Sequence, residues 1–225
     1  FVGNIWCVSK TLDVSVFLKG ENALSHHILI PATTGRGKSN LTKCMLWDQA
    51  DKDYCATLVL DPHDEYYGRN NLGLKDNSSS EKVSYYTPNS PPPGCKSLKI
   101  NLKNIRPSHF HGVVDWSPAQ NQALNAYYKK FKSGWIEALL KEEDLPQSFT
   151  FHESTLAVVK RRLMSLLDLR MKDDEILSRG IFDLHAGQST IKDISSELEN
   201  SKTVIIDTSS FSGTVELLVG SLVTG

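Results

Sequence analysis

Short apolar runs bounded by turn residues alternate with amphipathic stretches along this chain, and their order predicts its architecture. The chain opens on FVGNIW, which is strand-like, and VSVFL (Val14 to Leu18) alternates β-forming residues before a turn at KGEN. HILIP (His27 to Pro31) is an apolar run between turn signals, which predicts a strand buried on both faces. KSNLTKCMLWDQADK then places Leu41, Met45 and Leu46 on one helical face, and ATLVLD (Ala56 to Asp61) reads as a second strand. A strand, a glycine turn, a helix and a further strand in this order predict a parallel crossover.

From Arg69 to Ser97 the composition shifts to RNNLGLKDNSSSEK and TPNSPPPGCKS, surface loop interrupted by a strand at VSYYT. LKINL (Leu98 to Leu102) alternates like another strand. Two helices follow. Ser117, Pro118 and Gln120 in SPAQ form a capping box at the start of the first, whose apolar positions Leu124, Tyr127, Tyr128, Phe131, Trp135 and Leu139 recur at helical spacing. The second opens at TFHE (Thr150 to Glu153) and carries Leu156, Val159, Leu163, Leu166 and Leu167. KTVIIDTSS (Lys202 to Ser210) reads as a buried strand ending in an aspartate, and TVELLVGSLV begins another helix. The sum is an α/β fold with a mainly parallel sheet and a helical insertion between its strands.

The chemistry is concentrated in PATTGRGKSN (Pro31 to Asn40), which ends in the Gly-Lys-Ser of a phosphate-binding loop. Successive backbone N–H groups of such a loop surround the anion, a lysine reaches the β- and γ-phosphates, and a hydroxyl binds Mg²⁺. Those roles fall to the backbone of Thr33, Thr34, Gly35, Arg36, Gly37, Lys38 and Ser39 with Asn40 following, to the Lys38 ammonium, and to the Ser39 hydroxyl. Ala32 stands where the strict pattern has its first glycine, but that position only leads from strand to loop. Gly35 and Gly37 are the more demanding backbone positions. In LVLDPHDEYYG, Asp61 ends a strand where ligands gather in open parallel sheets, so it is a candidate to hold Mg²⁺ through water or to orient an attacking water, with Glu65 as a second carboxylate. Asp61-Pro62 also reads simply as the start of a turn. Asp207 in VIID has the form of a magnesium-binding aspartate, yet Thr208 stands where a catalytic glutamate usually follows.

Composition narrows the partners. The chain has 225 residues, 40% hydrophobic and 23% charged, with a formal net charge of -1, so any nucleic-acid surface must be local. Lys129, Lys130 and Lys132 interleave with Tyr127, Tyr128 and Phe131, which reads either as a DNA-backbone contact or as a solvated helix face above an aromatic stripe, and Lys160, Arg161 and Arg162 form a second basic cluster. Four cysteines without a C-x-x-C pair indicate neither a zinc nor a redox site, and reduced thiols fit a cytoplasmic protein; of the seven histidines, His26, His27, His109 and His111 lack a matching carboxylate pattern and His63 belongs to its motif. Leu217 to Val223, among the longest apolar runs, falls short of the ~18 residues of a membrane span, and no leader opens the chain.

TGRGKSN followed by LVLDPHDEY resembles the HerA family of archaeal DNA-end-processing ATPases, within the HerA/FtsK group of hexameric DNA pumps. The opening GNI, DVSVFL before HHILIP, SPAQNQAL and VIIDTSSFSG are similar to further parts of that family. Asp64 departs from the pattern, standing where the family has a glycine, which bears on the turn and on the placement of Glu65. The resemblance implies a RecA-like P-loop NTPase core that uses ATP and Mg²⁺, acts on double-stranded DNA ends as a hexamer, and works with a NurA-type nuclease in resecting breaks. It makes Asp207 part of an adjacent core strand. It also implies that a Glu-Glu-Ala-His segment with the catalytic glutamate and an arginine finger lie beyond Gly225, and a barrel before Phe1, so that the chain is an ATPase core cut at both ends.

On this basis residues 1–24 are expected to be entry strands and linker, 25–104 the first part of the NTPase core, 105–200 the helical insertion, and 201–225 the return to the core. A conjugation- or packaging-type DNA pump shares the loop and the ring. A nucleotide-dependent switch, a small-molecule kinase and a protein that binds ATP without turnover are the other classes carrying such a loop; no N-K-x-D guanine-reading segment occurs.

Overall fold

A computed structural model describes residues 3–7, 9–146 and 149–225. Phe1 and Val2 of the strand-like opening lie outside the described residues. The chain begins with an antiparallel hairpin, β1 (Gly3–Cys7) and β2 (Lys10–Val16), followed by a short helix α1 (Gly20–Leu24). The expected strand Val14 to Leu18 is therefore shifted toward the amino terminus, and Phe17 and Leu18 are exposed beyond it.

The centre of the molecule is a four-stranded sheet built from β3 (Thr57–Asp61), β4 (Val83–Thr87), the two-residue β5 (Lys96–Ser97) and a late strand, Thr203–Asp207. Its order places Thr203–Asp207 between β3 and β4, with β5 outside β4, and every pairing is parallel. All five residues of Thr203–Asp207 are buried. Val204 and Ile206 pack into the larger core and Ile205 into a smaller cluster with Leu46, Leu74 and Tyr85, so the strand is apolar without alternation because both faces are covered.

One cover is helix α2 (Lys38–Gln49), which contributes Leu46, and just past its end Ala50, to the smaller cluster. Leu41, expected on the buried face, is 39% exposed, because only the carboxyl-terminal half of α2 lies on the sheet. Gln49 anchors that half, its side-chain amide donating to Thr57 Oγ1 at 2.8 Å.

HILIP corrects the sequence reading. Residues 27–33 form no strand, Leu29 is 86% exposed and Ile28 46%. The physical reason is the lack of a neighbour: β3 is the edge strand on that side, and no described segment pairs with its outer edge. LKINL is also divided. The Leu98 N–H donates to the Thr87 carbonyl at 2.7 Å, whereas the Ile100 N–H donates to that of Ile181 at 2.8 Å. The run thus changes ladders, and β6 (Ile100–Asn101) pairs in parallel with a later segment, β9 (Phe182–Asp183).

Stretch 105–200 holds helices and strands. Helix α3 (Pro118–Phe131) starts at the expected capping box, with Gln120 N–H to Ser117 Oγ at 3.3 Å and Ser117 N–H to Gln120 Oε1 at 3.1 Å. The apolar stripe continues through Leu139 but the helix does not: Lys132 has φ 51°, and α4 (Trp135–Leu140) starts afresh. Trp135 is wholly buried, donating through Nε1 to the Ile105 carbonyl at 2.9 Å. Helix α5 (Glu153–Leu166), the antiparallel hairpin of β7 (Leu169–Lys172) and β8 (Glu175–Ser178), β9 and α6 (Thr190–Glu199) follow. The central strand Thr203–Asp207 is β10, and α7 (Gly213–Thr224) closes the order. Gly220 of α7 lies against β3, where an added Cβ would stand 3.3 Å from Leu60 Cδ1. Helices on both faces of a parallel sheet make this an α/β fold.

Candidate functional site

The carboxyl ends of β3, β4 and β10 meet in one polar cluster. Asp61 pairs in register with Asp207 across β3 and β10, and both are fully buried. After β3 the chain curls back over the Asp61 carboxylate, whose Oδ1 accepts the His63 N–H at 3.3 Å and whose Oδ2 accepts the Tyr66 N–H at 2.9 Å. Burial pushes the Asp61 carboxyl up, against these backbone bonds.

Asp207 has a different environment. Thr87 Oγ1 donates to its Oδ2 at 2.7 Å, and the hydroxyl and N–H of Ser209 donate to its Oδ1 at 2.6 and 3.0 Å. Burial would raise this carboxyl, but the donors from Ser209, Thr87 and Asn89 outweigh it and hold it below the ordinary value.

Asp64 resolves the departure from the glycine pattern. Its φ of 51° is in the left-handed region, which favours glycine and which aspartate tolerates better than most residues. Aspartate thus occupies a turn at positive φ, and its side chain has partners: Tyr85 Oη donates to Asp64 Oδ1 at 2.5 Å, and Arg69 Nε lies 3.4 Å from Asp64 Oδ2. Arg69 Nη2 also donates to Tyr85 Oη at 3.2 Å and to Thr87 Oγ1 at 3.1 Å. Sequence reasoning misses Tyr85, Thr87 and Arg69. The available signal is the pair of polar side chains at the carboxyl end of the strand predicted at VSYYT.

Glu65 follows Asp64 and lines a pocket of about 420 Å³ together with His63, Arg69, Asn70 and Lys43 of α2. Lys43 of the phosphate-loop helix and the loop after β3 therefore border one space. The loop itself, Thr33 to Gly37, is exposed ahead of α2. Gly35 and Gly37 have φ of 80° and 84°, and a Cβ added to either would meet nothing within 4 Å. Lys38 and Asn40 are exposed and Ser39 half-buried. Among the described residues, no hydrogen bond or ion pair joins Lys38 or Ser39 to Asp61 or Glu65.

Several members of the basic clusters are tied into their own surroundings. Lys130 donates to the Asp144 carbonyl, Lys129 stands over the Phe149 ring at 5.9 Å, and Arg162 lies over Trp116 at 4.6 Å and donates to the Asp115 carbonyl. Tyr127 beside them is buried. Among the described residues, no group of three or more His, Cys, Asp or Glu is placed to hold a metal, and no helix is long and apolar enough to cross a membrane.

Comparison with known proteins bears on this site. The family described as "Helicase HerA, central domain" matches residues 2–225. A stretch of 62 residues is 39% identical to the uncharacterized protein aq_aa31 of Aquifex aeolicus (strain VF5), covering 27% of this chain and 23% of that protein. No solved structure matches.

Proposed function

Because this chain belongs to the Helicase HerA central-domain family, with the RecA-like core of a HerA/FtsK-type P-loop ATPase, we propose that it hydrolyses ATP to move duplex DNA. In this reading it is cytoplasmic, assembles as a hexamer and acts on double-strand-break ends beside a NurA-type nuclease. The observation that carries the ATPase part is the phosphate loop itself, exposed ahead of α2 with Gly35 and Gly37 at positive φ.

The residues suit a magnesium nucleotide. The backbone around Gly35 and Gly37 is open and turned through positive φ, the geometry in which consecutive N–H groups converge on a phosphate. Lys38 supplies a cation for the β- and γ-phosphates, and Ser39 and Asp61 are the hydroxyl and carboxylate that would hold Mg²⁺. Bound Mg²⁺ would neutralise charge on the phosphates. Glu65 adds a second carboxylate beside the nucleotide, and Asp61, besides its part at Mg²⁺, accepts two backbone N–H groups of the loop that carries Glu65. Asp207, enclosed by donors from β4 and its own turn, is a structural neighbour in this scheme.

The test is ATP hydrolysis by the intact gene product with and without linear duplex DNA, with Lys38→Ala as control. Turnover stimulated by DNA and abolished by the substitution supports the DNA-motor reading. Lysine-dependent turnover indifferent to DNA sinks the DNA part and leaves an ATPase of another class; nucleotide binding without turnover favours a binding-only role.

A further inference from the structure

We propose that Asp64, Tyr85 and Arg69 form a clamp that positions Glu65 against the phosphate-loop helix, an inference that rests on the ATPase reading above. The clamp joins two strands and a loop. Tyr85 is 2% exposed on β4, and its ring stacks on Tyr67 with centroids 4.2 Å apart. Its hydroxyl donates to Asp64 at 2.5 Å while accepting from Arg69 at 3.2 Å, so one oxygen connects both charged groups. Arg69 extends the connection through Thr87 to Asp207 on β10.

The far side of the loop is already fastened. Gly68 and Gly73 approach so closely that a Cβ on either would stand within about 2.5 Å of the other's backbone, and Lys75 donates to the Gly68 and Asn71 carbonyls. The near side is held by Asp61 through the N–H groups of His63 and Tyr66. Between these anchors lies Asp64, in a backbone conformation that an L-residue adopts when its surroundings hold it there. Its side chain supplies that hold, and fixing Asp64 fixes the backbone from which Glu65 projects. Arg69 Nε is buried without a hydrogen bond, so the ion pair with Asp64 and the bonds from Nη2 define its placement.

Two variants separate the side chain from the backbone. Tyr85→Phe keeps the stacked ring and removes the shared oxygen; Asp64→Asn keeps a residue that tolerates the positive φ and removes the carboxylate. In the intact protein both are expected to lower kcat for ATP hydrolysis by on the order of ten- to a hundredfold with ATP affinity unchanged, as a misplaced group does. Both should also speed amide exchange across residues 62–69 while leaving 203–207 protected. A purely structural role would instead loosen 203–207 as well, or change ATP affinity together with kcat. Unchanged exchange in 62–69 overturns the clamp, and faster exchange with unchanged kcat overturns its positioning role. Absence of Lys38-dependent turnover in the unmodified protein overturns the ATPase reading, and with it the assignment of Glu65, whatever the loop does.

Discussion

Asp61 and Asp207 end neighbouring parallel strands in the same register row, both fully buried, and their carboxyl groups are displaced in opposite directions. The difference lies in the donors. Asp61 is supplied by backbone N–H groups that do not offset its burial, whereas three hydroxyls, from Thr87, Ser209 and Tyr85, with an N–H and an amide converge on Asp207. Adjacent carboxyls separated in this way can hold different protonation tendencies within one site.

Asp207→Asn tests this assignment. Loss of charge-assisted bonds to Thr87 and Ser209 is expected to destabilise the fold by about 1–3 kcal/mol at pH 7. A depressed native pKa gives stability that is present above the unfolded value and lost as pH falls through the native one. The difference between the variant and the unmodified protein in urea unfolding should therefore hold from pH 7 to pH 5 and shrink only below about pH 4. Asp61, raised by burial, contributes with the opposite slope: its stabilisation is present at low pH and lost as pH rises through its native pKa. A difference that already shrinks between pH 7 and pH 5 would show that Asp207 is not held low.

Gly37→Ala probes the phosphate loop without disturbing the core. The added methyl meets nothing within 4 Å, so its effect is conformational, at φ 84°. Left-handed backbone costs an L-residue about 1–2 kcal/mol, which biases the free loop away from the anion-binding form. ATP binding measured by calorimetry should weaken about tenfold, equivalent to ~1.4 kcal/mol. The unfolding midpoint should change by less, because the exposed loop, with nothing packed on Gly37, can relax the strain. An equal loss in both would place the loop within the cooperative core.

Ser117→Ala should destabilise the protein by about 1 kcal/mol in urea unfolding, through loss of one side of the capping box. No measurable change would show that α3 is set by packing alone. This device is legible in sequence because it is local: the four residues Ser117 to Gln120 contain both bonds. Buried β10 and the helix after it are legible for a similar reason, each being a run whose period or continuity reports its own environment. The polar cluster is not. Asp64, Tyr85, Thr87 and Asp207 are brought together by strand order, and nothing in the residues near Asp64 indicates that Tyr85 will stand 2.5 Å away. In sequence Asp64 reads as a disruption of the turn, since the partners that accompany its positive φ are distant in the chain.

HILIP misleads for the opposite reason, because an apolar run specifies a preference for cover but not its presence. With the outer edge of β3 unpaired among the described residues, Leu29 stays 86% exposed. Leu29→Ser is therefore expected to change the unfolding free energy of this 225-residue chain by no more than about 0.5 kcal/mol, the range of surface substitutions. Leu163→Ala is the matched control: Leu163 is wholly buried in α5, and its truncation should cost about 2–5 kcal/mol. If Leu29→Ser were to cost as much as the control, the segment would be covered in solution, and the strand that the sequence predicts would form when something pairs with it. A small Leu29 effect beside a large Leu163 effect would instead locate the cooperative core in the sheet and the helices behind it, leaving the phosphate loop on a segment free to take the shape its ligand requires.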